Sequence, residues 1–202
     1  AIEDKELLLH YQPIVDLESG NLTGVEALVR WHHPKFGMLL PEKFIPLAKE
    51  TGLIVDLSKW VLKQACKQAR MWHEAGFKSL SMTINISAIE FDQAKLIGHI
   101  EGVLAETGMP PELLELDIAE SVLMQDAEMS VKILQSLKEI GVRIAIDDFG
   151  IGYSSMSYLK HFPIDILKID RSLTHDIIFD SNSSEIILAI IGVFLSTRTT
   201  VK

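Results

Sequence analysis

Along the middle of the chain the hydrophobic and polar positions repeat one arrangement. A stretch of apolar residues at helical spacing reaches a glycine, and a short apolar run follows that ends in polar or acidic residues. Leu57, Val61, Ala65, Ala69 and Trp72 recur every three or four positions, and the helix they predict stops at Gly76 before a strand over 80–87. Leu96, Ile100, Val103 and Leu104 mark a second helix, closed by Gly108 ahead of a strand over 113–118. Met129, Ile133, Leu137 and Ile140 mark a third, closed by Gly141 ahead of a strand over 142–146, and a further short strand is read over 166–169.

Strands alternating with helices predict parallel pairing and an α/β fold. The opening is different: 7–15 and 22–31 both read as strands, but only the turn-like residues 16–21 separate them. That is too short for a parallel crossover, so the two form an antiparallel pair. The expected fold class is therefore a modified TIM-type β/α barrel with an antiparallel first strand; an open doubly wound sheet is the alternative. No low-complexity stretch or linker divides the chain, so one domain over 1–202 is expected.

Composition narrows the setting. With 202 residues, 48% of them hydrophobic, the chain can bury one sizeable core. Cys66 is the only cysteine, which rules out an internal disulfide and makes a reducing, cytoplasmic compartment the simplest setting. The longest apolar run, 186–195, falls short of the roughly 18 to 20 residues of a membrane span, so no membrane contact is expected. A formal charge of −9 argues against DNA or RNA polymers, whose binding needs Lys and Arg to neutralise phosphates. An acidic protein that handles phosphate needs a few aimed cations or bound metal.

In β/α architectures the carboxyl ends of the strands carry the chemistry. Here those ends hold Glu26, Asn85, Asp117, Asp147, Asp148 and Lys168. Gathered carboxylates repel unless some are protonated or a cation is bound, and oxygen donors of this kind suit Mg²⁺, Mn²⁺ or Ca²⁺. The adjacent pair suits two metal ions, with Asp147 bridging both and Asp148 holding one.

These residues sit in segments that resemble a known family. Glu26-Ala27-Leu28-Val29-Arg30-Trp31, Asn85-Ile86-Ser87, Asp147-Asp148-Phe149-Gly150-Ile151-Gly152-Tyr153-Ser154-Ser155 and Leu167-Lys168-Ile169-Asp170 resemble, in order and spacing, the motifs of EAL-domain cyclic di-GMP phosphodiesterases. Tyr11-Gln12-Pro13-Ile14 and Phe44-Ile45-Pro46-Leu47-Ala48 resemble two more family segments. The resemblance implies hydrolysis of cyclic di-GMP to linear 5'-pGpG in bacterial second-messenger signalling, with Mg²⁺ or Mn²⁺, two ions in all. It implies that Glu26, Asn85, Asp117, Asp147 and Asp148 are metal ligands, Glu26 and Asp147 among the catalytic groups. Lys168 orients or activates the attacking water. Gln12, Leu28, Arg30 and Pro46 contact the ligand, Arg30 through a phosphate and Pro46 near a guanine. It further implies a homodimer, coupled to the metal site through the loop at 153–155, and sensory or cyclase domains in a longer parent protein.

Several positions depart from the family. Asp117 stands where Glu is usual, Ala119 where Thr is usual, and Ile151 replaces a small or hydroxylated residue. The family's next catalytic glutamate falls beyond Lys202, so the barrel is expected to lack its last strand and helix. Asp117 and the absent glutamate favour a second reading, a catalytically impaired receptor that binds cyclic di-GMP and signals by conformation. A protein-interaction domain without nucleotide is a third, disfavoured by Gln12 and Arg30. The pair His32-His33 has no second ligand pair at zinc spacing and reads as exposed histidines. Trp60 and Trp72 read as core.

Overall fold

A computed structural model of the chain describes residues 6–91, 95–150, 161–175 and 199–202, together with Glu185, Ile187, Leu188, Ile191 and Gly192. The chain forms two compact units, residues 1–115 and 116–202.

The first unit opens with the antiparallel pair that the short 16–21 turn predicts. Strands β1 (Leu7–Val15) and β2 (Leu22–His33) pair from Leu7 opposite Trp31 to Val15 opposite Leu22. Asp16 accepts from both the backbone N–H and the hydroxyl of Ser19, which holds the turn. A short strand β3 (Gly37–Leu39) folds back on the end of β2, an addition too brief to leave a sequence pattern. Two helices follow, α1 (Pro41–Glu50) and α2 (Ile54–Glu74), and then β4 (Ser81–Ile86) runs parallel to β2. Gly24 lets the strands approach closely: a Cβ there would stand 2.3 Å from the Ser81 hydroxyl and 3.2 Å from its carbonyl oxygen. Leu7, Phe44, Ile54 and Leu57 form the core between the hairpin and the two helices. Each buried side chain of this size contributes about 1.5–3 kcal/mol.

The predicted α2 stripe is buried at Leu57, Ala65 and Ala69, but Trp60 and Trp72 are only half-buried. Trp72 lies at the margin, edge-on to Tyr11 with ring centroids 4.8 Å apart. Helices α3 (Ala88–Phe91) and α4 (Leu96–Thr107) follow; Gly108, with φ 66, ends α4 as its sequence predicts.

Strand β5 (Leu114–Ala119) carries the chain into the second unit and is buried on both faces, as in a covered parallel sheet. After the short α5 (Glu120–Leu123), helix α6 (Ala127–Ile140) starts where the Asp126 side chain accepts from the Met129 N–H, and it ends at Gly141 with φ 96. Its buried face is Ser130, Leu134 and Leu137; Met129, expected inside, is 49% exposed. Strand order continues β5–β6–β7–β8, with β6 (Arg143–Phe149), β7 (Ile166–Ile169) and β8 (Thr200–Val201) pairing in parallel. β8 lies in a segment to which the sequence pattern assigns no element. Helix α7 (Arg171–His175) follows β7. Asp165 fixes where β7 begins: its carboxylate takes the Lys138 ammonium at 2.8 Å and the Ile144 N–H at 2.8 Å.

Candidate active-site residues

Each unit carries its own group of the residues that the sequence nominates. In the first unit, Glu26 lies mid-strand on β2, directly opposite Gln12 of β1 and in register with Thr83 of β4. The Asn85 amide donates to the Glu26 carboxylate at 2.8 Å. Leu28 and Arg30 follow Glu26 at alternate positions and so share its face of β2. Glu26, Leu28 and Asn85 line a cleft of about 400 Å³ whose far wall is built by Pro41, Ile45 and Lys49 of α1. Arg30 is not among the residues lining that cleft; its guanidinium donates to the Val29 carbonyl at 2.9 Å. Pro46 sits inside α1, exposed and likewise off the cleft lining. His32 is exposed, whereas His33 is half-buried and packs with its ring tilted against those of Trp31 and Phe36, at centroid distances of 4.9 and 4.8 Å.

In the second unit, the Lys168 ammonium on β7 forms an ion pair with the Asp117 carboxylate on β5, the pair spanning β6. The β6–β7 ladder is irregular between Ile146 and Phe149, so that Asp147 and Asp148 together stand opposite the single residue Lys168. This is a β-bulge, a device that re-aims side chains at functional sites. It explains why β6 runs past 146, where the apolar pattern stops: the two aspartates belong to the strand. Asp148 takes a left-handed backbone conformation with φ 56, which Asp tolerates better than most residues. Its carboxyl pKa lies above the usual carboxylate range, first because it is partly desolvated and then because Asp147 and Asp170 repel its charge, with Lys168 opposing. Asp170 is held below that range by hydrogen bonds from Ser172 and Arg171.

Sequence reading missed Glu120, which is 4% exposed and whose carboxylate accepts from the Gly150 N–H at 3.4 Å. An acid two residues past the end of the strand read over 113–118 was the available signal. Ile151 and residues 153–155 lie outside the described residues.

Among the described residues, no three or more His, Cys, Asp or Glu side chains are gathered tightly enough to form a metal-binding cluster. The donor chemistry still fits a hard cation. Every nominated donor is an oxygen, and at Asp148, whose carboxyl is raised first by partial desolvation, the charges of Asp147 and Asp170 add a repulsion that a divalent ion would relieve.

The EAL domain family model matches residues 1–201. The chain belongs to the EAL family. MucR of Pseudomonas aeruginosa, a bifunctional diguanylate cyclase/cyclic di-GMP phosphodiesterase, is 44% identical to this EAL domain over 95% of the chain and 28% of its own length. NbdA of the same organism, a cyclic di-GMP phosphodiesterase, is 42% identical over 95% of the chain and 24% of its own length. The chain thus spans about a quarter of the length of these curated relatives. The solved structure of the PaMucR phosphodiesterase in its c-di-GMP complex superposes with a TM-score of 0.95 at 42% identity, covering 100% of this chain and 81% of that one. The EAL fold, a partial TIM-type barrel with a parallel sheet, is therefore that of this chain, and the doubly wound alternative is excluded.

Proposed function

We propose that this EAL domain binds cyclic di-GMP and hydrolyses it to linear 5'-pGpG in a reaction that depends on Mg²⁺ or Mn²⁺. The observation that carries the proposal is the bulge in β6, which sets Asp147 and Asp148 opposite Lys168 while Lys168 holds Asp117. A structural ion pair alone has no use for two further carboxylates at the same strand position. Hydrolysis breaks one P–O3' bond, adds the hydroxyl of water to phosphorus and returns a proton to the leaving 3' oxygen. Lys168, charged and anchored by Asp117, donates an N–H to the attacking water and fixes its lone pair toward phosphorus. The nucleotide lies in the cleft beside Leu28, and Gln12, opposite Glu26 across the β1–β2 ladder, is a further ligand contact.

By family resemblance Glu26, Asn85, Asp117, Asp147 and Asp148 would hold the metal, two ions in all. Bound metal supplies a lowered water pKa and stabilisation of the leaving oxygen. The proposal takes residues 1–202 as one EAL domain of a cytoplasmic homodimer, with sensory or cyclase domains in the parent protein. Sodium, calcium, magnesium and manganese salts are to be compared for conversion of cyclic di-GMP to 5'-pGpG by chromatography. Turnover with Mg²⁺ or Mn²⁺ and its loss in EDTA are expected; undiminished turnover in EDTA would refute the metal assignment.

The engagement of Asp117 by Lys168 favours one second reading, a receptor that binds cyclic di-GMP without turnover. Saturable binding with no 5'-pGpG formed in any metal would select it.

A further inference from the structure

We infer that Lys49 is a ligand-contacting residue, its ammonium supplying a positive charge from the α1 wall by which the cleft of the first unit holds a phosphate of the cyclic dinucleotide. This rests on the proposed function and adds a residue to it. Pro41, Ile45 and Lys49 recur every fourth position of α1, and all three line the cleft that Glu26 and Asn85 line from the strands. That spacing places Lys49 on the cleft face of the helix rather than on its outer face.

The acidic side chains lining the cleft are Glu26 and Glu90, and the chain as a whole carries −9. Glu90 is turned to Ser87, accepting from its N–H at 2.9 Å and its hydroxyl at 2.7 Å. A dinucleotide bearing two phosphates meets repulsion in such a cleft unless cations face it; metal held by Glu26 and Asn85 would serve the strand side, and a cation on α1 would face the ligand from the opposite wall. Arg30, the cation that the sequence nominates, is turned to the Val29 carbonyl and does not line the cleft. Lys49 is the one cationic residue in the described lining, and none of the ion pairs among the described residues engages it. A plain structural role, a lysine favoured in the last turn of α1 by the helix dipole, accounts for its charge but not for its face.

The test is calorimetric titration of cyclic di-GMP into the full chain with Ca²⁺ present, for wild type, Lys49→Met, Lys49→Arg and Lys49→Glu. Met keeps the aliphatic stem and removes the charge. Expected are a Kd about ten-fold weaker for K49M, the scale of one charge-assisted hydrogen bond, a larger loss for K49E and near-wild-type binding for K49R. The Kd of wild type should also rise more steeply with added NaCl than that of K49M. Unfolding temperatures should be unchanged, since Lys49 is exposed. Wild-type affinity in K49M, or a loss that K49R shares, overturns the assignment while leaving the functional reading intact. Absence of binding by wild type overturns the functional reading and the assignment with it.

Discussion

Replacing Lys168 tests stability and chemistry at once, because the same ammonium is nominated for both. Its side chain is 15% exposed and that of its partner Asp117 is 0% exposed, so the ion pair is nearly dry. Removing one member of a buried pair costs about 3–5 kcal/mol, because the other charge keeps its desolvation penalty and loses its counter-charge. The residual exposure of Lys168 places the expected cost of Lys168→Met near the lower end, about 3 kcal/mol. For a chain of this length that corresponds to a fall of about 6–12 °C in Tm. Lys168→Arg, which keeps the charge, should lose much less. The double variant Asp117→Asn with Lys168→Met buries neither charge and should recover most of the loss, giving a coupling energy of about 2 kcal/mol or more. Urea denaturation of the four proteins in EDTA measures the cycle without metal. Turnover is then assayed well below the variant's Tm, where K168M should bind cyclic di-GMP and fail to hydrolyse it. Additive losses in the cycle, or a Tm fall in K168M below about 2 °C, would refute the buried-pair reasoning.

Three further outcomes follow from particular geometries. Gly150→Ala should destabilise the chain by about 2 kcal/mol in denaturant titration, since φ is 100 and a Cβ would stand 2.3 Å from the Leu173 side chain; Leu173→Ala in the same chain should restore part of the loss. Asp148→Asn should raise the Tm of the metal-free protein at pH 7: the folded pKa of Asp148 is raised, so its stabilising contribution is complete below about pH 4 and is lost as pH rises through the folded value. That advantage should vanish by about pH 4 in thermal scans across pH, and an advantage that grew toward acid would reverse the sign assigned here. Cys66, with 0% exposure and burial pushing its thiol up to about 12, should resist a disulfide reagent in the native protein and react at full rate in denaturant.

What could be read from sequence depended on how far each feature was local. The glycines at 108 and 141 close α4 and α6 because each adopts positive φ at a helix end, a demand written in a single residue. The antiparallel opening was legible for a similar reason, since a six-residue turn excludes a crossover. The buried face of α6 was legible only at Leu137, because two stripes meet there, one continuing through Ile133 and Met129 and the other through Leu134 and Ser130. What decides between them is distant: Ser130 is buried with its hydroxyl donated to the Leu123 carbonyl at 3.0 Å, a partner that no periodicity shows.

The candidate site divides in the same way. Carboxylates mark themselves by interrupting apolar runs, so Glu26, Asp117, Asp147 and Asp148 could be nominated one by one, although Glu26 and Asp117 lie within their strands and not at the ends the apolar pattern gives them. Their arrangement could not. An apolar pattern that stops at Ile146 looks like the end of a strand, whereas the ladder resumes at Phe149 and the interruption is a bulge within it. The difference matters chemically, because residues beyond a strand end are free to diverge, while a bulge between two paired positions fixes both aspartates against the same neighbour. Arg30 and Lys49 show the converse. Sequence favours the arginine because it stands in a recognisable segment, but its nearest acceptor is the carbonyl of the residue before it. The lysine belongs to an amphipathic helix where a surface role is the default, and only the packing of α1 opposite β2 and β4 turns it toward the cleft. Residue type can nominate a charge for binding; the face it occupies is set by tertiary packing.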